Sequence, residues 1–197
     1  MILNKQPKLI IVSAPSGSGK TTIVKHLLAS FPNLTFSISA TNRKIRSGET
    51  DGTDYFFIST DDFKEKIKNG DLLEWQEVYP GSFYGTLRQQ IEKLLSEGKN
   101  VIFDVDVVGG LNIKKEFGNS ALSVFVCPPS IATLEERLKC RNTDSPETIR
   151  KRVEKAILEM EYIDKFDYVL MNKDLEEAKK EIVKKVSDFL SDSNINS

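Results

Sequence analysis

The residues best equipped for chemistry begin with Ala14-Pro15-Ser16-Gly17-Ser18-Gly19-Lys20-Thr21-Thr22. This run follows the apolar Leu9-Ile10-Ile11-Val12 and leads into Ile23-Val24-Lys25-His26-Leu27-Leu28, whose apolar residues recur at helical spacing. A strand, a glycine-rich turn and a helix in that order make a phosphate cradle. Loop N–H groups converge on phosphate oxygens, and the helix N-terminus adds partial positive charge. Lys20 can reach the outer phosphates, and the Thr21 hydroxyl suits Mg²⁺. Ala14 stands where the motif ordinarily has its first glycine, so this position needs no positive φ.

Asp104 and Asp106 close the apolar stretch Val101-Ile102-Phe103. Carboxylates there can hold the waters of Mg²⁺ or meet a substrate. Alternation along a continuing strand would send the two to opposite faces, leaving one of them purely structural. Arg43 and Arg46 share the long polar segment Thr41–Asp54, while Arg137, Arg141 and Arg152 lie along or beside the join between two later helices. A single surface arginine is ordinarily a solvated charge. Two clusters flanking a phosphate loop suggest more, because arginine offers a permanently charged, bidentate fork to donor and acceptor phosphates. Ser39, Tyr55, Glu74, Tyr84 and Thr86 form a third, polar–aromatic set. Tyrosine hydroxyls can bond an acceptor phosphate. A carboxylate such as Glu74 can accept from the N1 and N2 donors of guanine, with Ser39 and Thr86 serving O6. Adenine lacks that donor pair and would leave a buried carboxylate unpaired. Taken alone, Glu74 beside Trp75 reads as readily as a solvent-facing charge.

The elements that must position these groups follow from composition and pattern. A chain of 197 residues, 39% hydrophobic and 29% charged, suits a globular protein with a sizeable core. Its net charge of −1 argues against a general electrostatic affinity for nucleic acid or anionic membrane. No run approaches the length of a membrane span, and Met1-Ile2-Leu3-Asn4-Lys5 lacks a signal-peptide pattern. Cys127 and Cys140 read as buried free thiols in a reducing compartment, so the expected location is cytoplasmic. His26, the only histidine, falls inside the first helix and excludes a histidine-based metal site.

Strands are expected at Lys8–Ser13, Phe36–Ala40, Tyr55–Ile58, Leu72–Tyr79, Val101–Asp106, Ala121–Cys127 and Tyr168–Met171. Helices are expected at Lys20–Ser30, Thr60–Asn69 capped by Thr60, Leu87–Glu97 capped by Thr86, and Val107–Phe117 interrupted near Gly109-Gly110. Three more should follow at Ile131–Lys139, Pro146–Tyr162 and Leu175–Leu190, before a polar, disordered tail from Ser191 to Ser197. Pro80–Gly85 reads as a turn. Apolar strands separated by helices imply an α/β fold, a parallel sheet with helices on both faces. Its ligand crevice lies beyond the C-terminal strand ends, where the loop and Asp104/Asp106 should converge.

On these residues the chain resembles the guanylate kinase family over nearly its whole length. Ser13 to Thr21 is similar to that family's phosphate loop, and Phe36-Ser37-Ile38-Ser39-Ala40-Thr41-Asn42-Arg43-Lys44-Ile45-Arg46 to its GMP-binding signature. Gly48-Glu49, Gly52, Asp54-Tyr55, Leu73-Glu74-Trp75, Tyr84-Gly85-Thr86 and Asp104-Val105-Asp106 continue the match in order. Ile45 replaces the family's commoner proline. The resemblance implies an α/β P-loop core (1–34, 87–130 and 155–197), a small antiparallel GMP-binding insertion (35–86) and a helical lid (131–154). It also implies ATP-dependent, Mg²⁺-assisted phosphorylation of GMP to GDP, and of dGMP to its diphosphate.

By the same resemblance, Ala14 to Thr22 with Arg137, Arg141 and Asn172 bind ATP. Arg43, Arg46, Tyr55 and Tyr84 hold the GMP phosphate. Ser39, Glu74 and Thr86 read guanine, with Asp106 between the nucleotide and the metal waters. Thr21 would ligate Mg²⁺ directly, and Asp104 and Asp106 through water. Lys20, Arg43, Arg137, Arg141 and Arg152 carry the transfer. The expected partners are ATP and GMP alone, with neither nucleic acid nor membrane, in a monomer or homodimer. Two other readings stay open: a kinase for a different nucleoside monophosphate, and a non-catalytic module of guanylate-kinase type. Intact Lys20, Thr21 and arginines count against the second.

Overall fold

The structure, a computed structural model, describes residues 6–140 and 144–192. Its elements in order are β1 (Leu9–Ser13), α1 (Lys20–Ser30), β2 (Leu34–Phe36), β3 (Ser39–Thr41), β4 (Phe56–Phe57), α2 (Thr60–Asn69), β5 (Leu72–Tyr79) and β6 (Ser82–Leu87). There follow α3 (Arg88–Ser96), β7 (Asn100–Asp104), α4 (Val107–Phe117), β8 (Ala121–Cys127), α5 (Ile131–Cys140), α6 (Pro146–Met160), β9 (Tyr168–Met171) and α7 (Leu175–Ser191).

Five parallel strands in the order β2-β7-β1-β8-β9 make the central sheet. Every residue of β1 is buried, as a strand covered on both faces requires. The pleat sends Ile10 and Val12 toward Val24, Leu27 and Ile182 of α1 and α7. It sends Leu9 and Ile11 the other way, to Ile91 of α3 and Ile113 of α4. Each fully buried aliphatic side chain contributes about 1.5–3 kcal/mol, so these two layers fix the C-terminal edge where β1 meets the loop and β7 delivers Asp104.

A second sheet, ordered β4-β3-β6-β5, stands beside the first. It is antiparallel except for the two-residue β4, which pairs parallel to β3. Phe63 of α2 stacks on Phe83 of β6 at 5.5 Å and, with Ala40 and Leu72, closes a separate small core.

Several boundaries differ from the sequence-based expectation, each for a local reason. The stretch expected as one strand, Phe36–Ala40, divides between the sheets. Leu34–Phe36 pairs with β7 in the central sheet, and Ser39–Thr41 pairs with β6 in the other. Residues 35 and 36 therefore lie in the parallel sheet, and alternation alone could not distinguish one strand from two joined at Ser37. The expected turn Pro80–Gly85 is only two residues long. Gly81, at φ 77°, reverses the chain, and β6 starts at Ser82. Thr86 thus lies in β6 and caps no helix, the residue before α3 being Leu87. Ser59, not Thr60, caps α2, accepting from Asp62 N. Gly109-Gly110 leaves α4 unbroken. Cys127 is buried as expected, whereas Cys140 is exposed at the end of α5. The tail beyond Asp192 lies outside the described residues.

Candidate functional site

The loop between β1 and α1 takes its shape from two glycines in the left-handed region, Gly17 at φ 100° and Gly19 at φ 98°. Space is short there as well. A Cβ on Gly17 would lie 3.2 Å from Leu138, and one on Gly19 would collide with the Asn172 amide. Asn172 Nδ2 donates to Ser18 O at 2.7 Å, and Arg137 Nη2 donates to Asn172 O at 3.0 Å. The strand after which Asn172 sits, β9, thus braces the loop from behind, and Arg137 of α5 reaches the loop through Asn172. Arg152 of α6 comes over the front. Its Nη1 donates to Ser16 Oγ at 2.8 Å and its Nη2 to Asp144 Oδ1 at 3.2 Å. Three buried polar atoms around the loop make no hydrogen bond among the described residues: Ser18 Oγ, Asn172 Oδ1 and Arg152 Nε. Arg141 lies outside the described residues.

In front of the loop lies a cavity of about 280 Å³ lined by loop residues, Thr21, Asp104, Asp106 and Arg152. Lys20 Nζ pairs with Asp104 and donates to Val105 O at 3.2 Å. β7 ends at Asp104, which resolves the question of opposite faces. Asp106 has left the strand to become the N-cap of α4, accepting from Gly109 N at 2.8 Å, so both carboxylates line the same cavity. No cluster of three or more potential ligands among the described residues could hold a metal unaided. One hydroxyl and two carboxylates do suit an Mg²⁺ delivered on a nucleotide, which keeps most of its waters and needs few protein ligands.

The second sheet supplies the other half. Register places Ser39 opposite Thr86, Thr86 opposite Glu74, and Tyr84 between Thr41 and Gln76. Thr86 Oγ1 donates to Glu74 Oε1 at 2.7 Å. Glu74 is only 8% exposed, and burial, opposed by the Thr86 bond, pushes its pKa up to about 7. Asp106 adds to the rise and Lys20 counters it, so Glu74 feels the charges of the phosphate-loop cavity. A buried carboxylate with a free oxygen is a strong acceptor for a paired N–H donor.

Further along the same strands, Arg43 is held on every side. Its Nε donates to Tyr84 Oη at 3.0 Å, and its two Nη atoms fork onto Glu49 at 2.7 and 2.6 Å. Its guanidinium also lies 4.9 Å from the Tyr55 ring and 5.4 Å from the Phe57 ring. Burial raises the Tyr55 pKa, so its hydroxyl stays a donor at neutral pH. Arg46 is exposed, and its backbone N–H donates to Glu49 Oε2 at 2.8 Å.

Two groups named from sequence are therefore assembled: Ser39, Glu74 and Thr86 at one end, Arg43, Tyr55 and Tyr84 at the other. Sequence reasoning passed over the role of Glu49 as the partner of Arg43. It also missed Gln76, whose Nε2 donates to Asp106 Oδ1 at 2.9 Å and ties the second sheet to α4. Lys155 and Glu159 line the cavity beside Arg152. Their i+3 and i+7 spacing from Arg152 on one helix was the available signal.

Fold and site together define an α/β P-loop nucleotide kinase. Residues 6–192 match the family description "Guanylate kinase". The chain is 54% identical over 185 residues to the guanylate kinase of Bacteroides fragilis, covering 94% of this chain and 91% of that protein. It is 48% identical to the guanylate kinase of Porphyromonas gingivalis, covering 93% and 98%. The crystal structure of guanylate kinase from Anaplasma phagocytophilum superposes with a TM-score of 0.76 at 28% identity, covering 96% of this chain and 89% of that one. The chain belongs to the guanylate kinase family.

Proposed function

We propose that the chain transfers the γ-phosphoryl group of ATP to GMP, giving ADP and GDP, and to dGMP, giving ADP and dGDP. The observation that carries the choice of acceptor is the buried Glu74 carboxylate, beside Thr86 and on the same sheet as the Arg43–Tyr84 pair. Guanine presents two adjacent N–H donors to such a group. Adenine presents none there.

In this reading the acceptor phosphate lies on Arg43, Arg46, Tyr55 and Tyr84, and Ser39, Glu74 and Thr86 orient the base. The donor phosphates lie in the loop 14–22, against Lys20, Arg137, Arg141 and Arg152, with Asn172 at the adenine side. An acceptor phosphate oxygen attacks the γ-phosphorus in line, with no covalent enzyme intermediate. Rate then comes from alignment and charge neutralisation. The hydroxyl of Thr21 and the carboxylates of Asp104 and Asp106 would hold Mg²⁺, which neutralises charge on the transferring group when bound. Residues 35–86, apart from Thr35 and Phe36, which pair with β7, and extended by Leu87 of β6, act as the acceptor-binding unit and 131–154 as a lid over the remaining core. Their closure excludes water and suppresses ATP hydrolysis. No helix among the described residues is long and apolar enough to cross a membrane. Water-soluble nucleotide substrates and the unpaired thiols suit a cytoplasmic monomer or homodimer.

A coupled assay with MgATP against GMP, dGMP, AMP, CMP and UMP tests this. Turnover of GMP and dGMP is expected, with kcat/KM for AMP lower by about 10³ or more. Comparable turnover of AMP would transfer the chain to another nucleotide. A protein that neither turns over nor gains Tm with MgATP would be a binding module instead.

A further inference from the structure

On α6, Arg152, Lys155 and Glu159 fall at i, i+3 and i+7, one above another on a single face. All three line the phosphate-loop cavity. We propose that Lys155 is a further contact for the donor's phosphates, held ready by Glu159.

The bland alternative is an ordinary i,i+4 surface pair, and α6 carries two of those for comparison. Arg150–Glu154 at 3.9 Å and Lys151–Glu147 at 2.9 Å have every side chain 66–73% exposed. The Lys155–Glu159 pair at 3.5 Å is different: Glu159 is 13% exposed in the cavity wall, while Lys155 is 55% exposed. The carboxylate is fixed and the ammonium is free to swing on its four-carbon stem.

The same arrangement recurs at the cations already assigned to phosphate. Lys20 rests on Asp104, Arg152 on Asp144, and Arg43 on Glu49. In each case a carboxylate only 12–20% exposed occupies the cation, and a phosphate is the stronger acceptor that takes it over or shares it. Lys155 on Glu159 repeats the pattern one turn beyond Arg152. The electrostatics agree. Burial raises the Glu159 pKa, Lys155 opposes that rise first, and Asp106 and Lys20 of the same cavity act on it as well. Glu159 is therefore turned into the cavity and not to bulk solvent, and Lys155 beside it gives α6 a second positive charge at that cavity.

The inference rests on the donor being a nucleoside triphosphate, as proposed above. Calorimetric titration of ATP and, separately, GMP into the parent, Lys155→Met, Lys155→Arg and Lys155→Met/Glu159→Gln tests it. Lys155→Met is expected to weaken ATP about tenfold, as loss of a charge-assisted bond does, with GMP affinity unchanged. Lys155→Arg should stay within about twofold of the parent. The double variant separates contact from neutralisation: it stays as weak as Lys155→Met if Lys155 touches phosphate. Parent-like ATP affinity in Lys155→Met, equal losses for ATP and GMP, or recovery in the double variant overturns the proposal. Should Lys155→Met fail to fold, Lys155→Arg still decides, since a tenfold loss there also overturns it. A parent that binds ATP yet makes no GDP would remove the acceptor reading while leaving this comparison intact.

Discussion

Glu74 fits beneath α4 only because residue 109 is glycine: a Cβ there would stand 2.6 Å from Glu74 Oε2 and 3.3 Å from Asp106 Oδ1. The contact joins β5 of one sheet to α4, the helix that follows β7 of the other. Gly109 has no left-handed backbone to preserve, so an alanine meets only the side chains. Gly109 lies in the first turn of α4, where alanine is still favoured over glycine, by up to about 1 kcal/mol, the helix-interior value. Gly109→Ala should therefore keep or raise Tm while displacing the carboxylate. KM for GMP should rise about tenfold or more, with KM for ATP unchanged. Parent-like kinetics with GMP would mean that Glu74 does not need the position it occupies.

The buried carboxylate also sets a pH dependence whose sign is fixed. Burial raises the folded-state pKa of Glu74 to about 7 from an ordinary value of 4.5. The folded protein thus binds that proton more tightly than the unfolded chain. The associated stability is fully present below the ordinary value and is lost as pH rises through about 7. At pH 8 the ionised group costs the ligand-free protein up to about 3 kcal/mol. Glu74→Gln keeps an acceptor for Thr86 without the charge. Its Tm should exceed the parent's at pH 8 and converge with it near pH 4.5. If guanine is read as proposed, ionised Glu74 is the form that accepts its donors, so the parent's KM for GMP should fall as pH rises through about 7. In Glu74→Gln it should be high and flat. Parallel melting profiles for the two proteins would show that burial of this carboxylate is not felt.

The contrast between Ala14–Thr22 and Glu74 explains what the sequence could and could not carry. The loop is local: strand, glycines and helix are contiguous, so order along the chain already specified the geometry. Asp104 and Asp106 were legible as a pair, but where β7 stops decided that both face one cavity. Glu74 looked as much like a surface charge as a base reader, because its burial comes from Thr86 across the strand and Gly109 from another unit. Glu49 escaped for a related reason. Nothing in a polar loop announces which carboxylate folds back on which arginine. The hairpin at Pro80-Gly81 and the division of Phe36–Ala40 between two sheets depend on pairing partners far along the chain, which alternation does not encode.

Glu49 holds three donors at once: both Nη atoms of Arg43 and the backbone N–H of Arg46. The Arg43 fork, then the Arg46 bond, lower its pKa to about 2, so it is ionised at any working pH. Arg43 also donates to Tyr84 and to Lys44 O, which leaves it oriented with little freedom. Glu49→Ala should release that orientation without touching the base-reading residues. Steady-state kinetics are expected to give about a tenfold rise in KM for GMP, an unchanged KM for ATP, and no new pH dependence between 6 and 9. A fall in KM would instead mean that Glu49 competes with the substrate phosphate for Arg43.

Lys20 sits where the two halves meet. Its ammonium pairs with Asp104 and donates to Val105 O, and its charge reaches Glu74 strongly enough to lower that pKa. In the proposed mechanism, donor phosphates draw it off Asp104 and it then neutralises charge on the group in transit. Lys20→Ala should cut kcat by about 10²–10³, the scale for removing a positioned charge stabiliser. The acceptor pocket is built from other elements, so GMP should still raise Tm in this variant. One coupling between the sites should persist: without the Lys20 charge, the Glu74 pKa rises further, and the pH above which GMP raises Tm moves upward. A variant turning over near the parent rate would remove Lys20 from the mechanism. A GMP response with unshifted pH dependence would separate the two sites electrostatically.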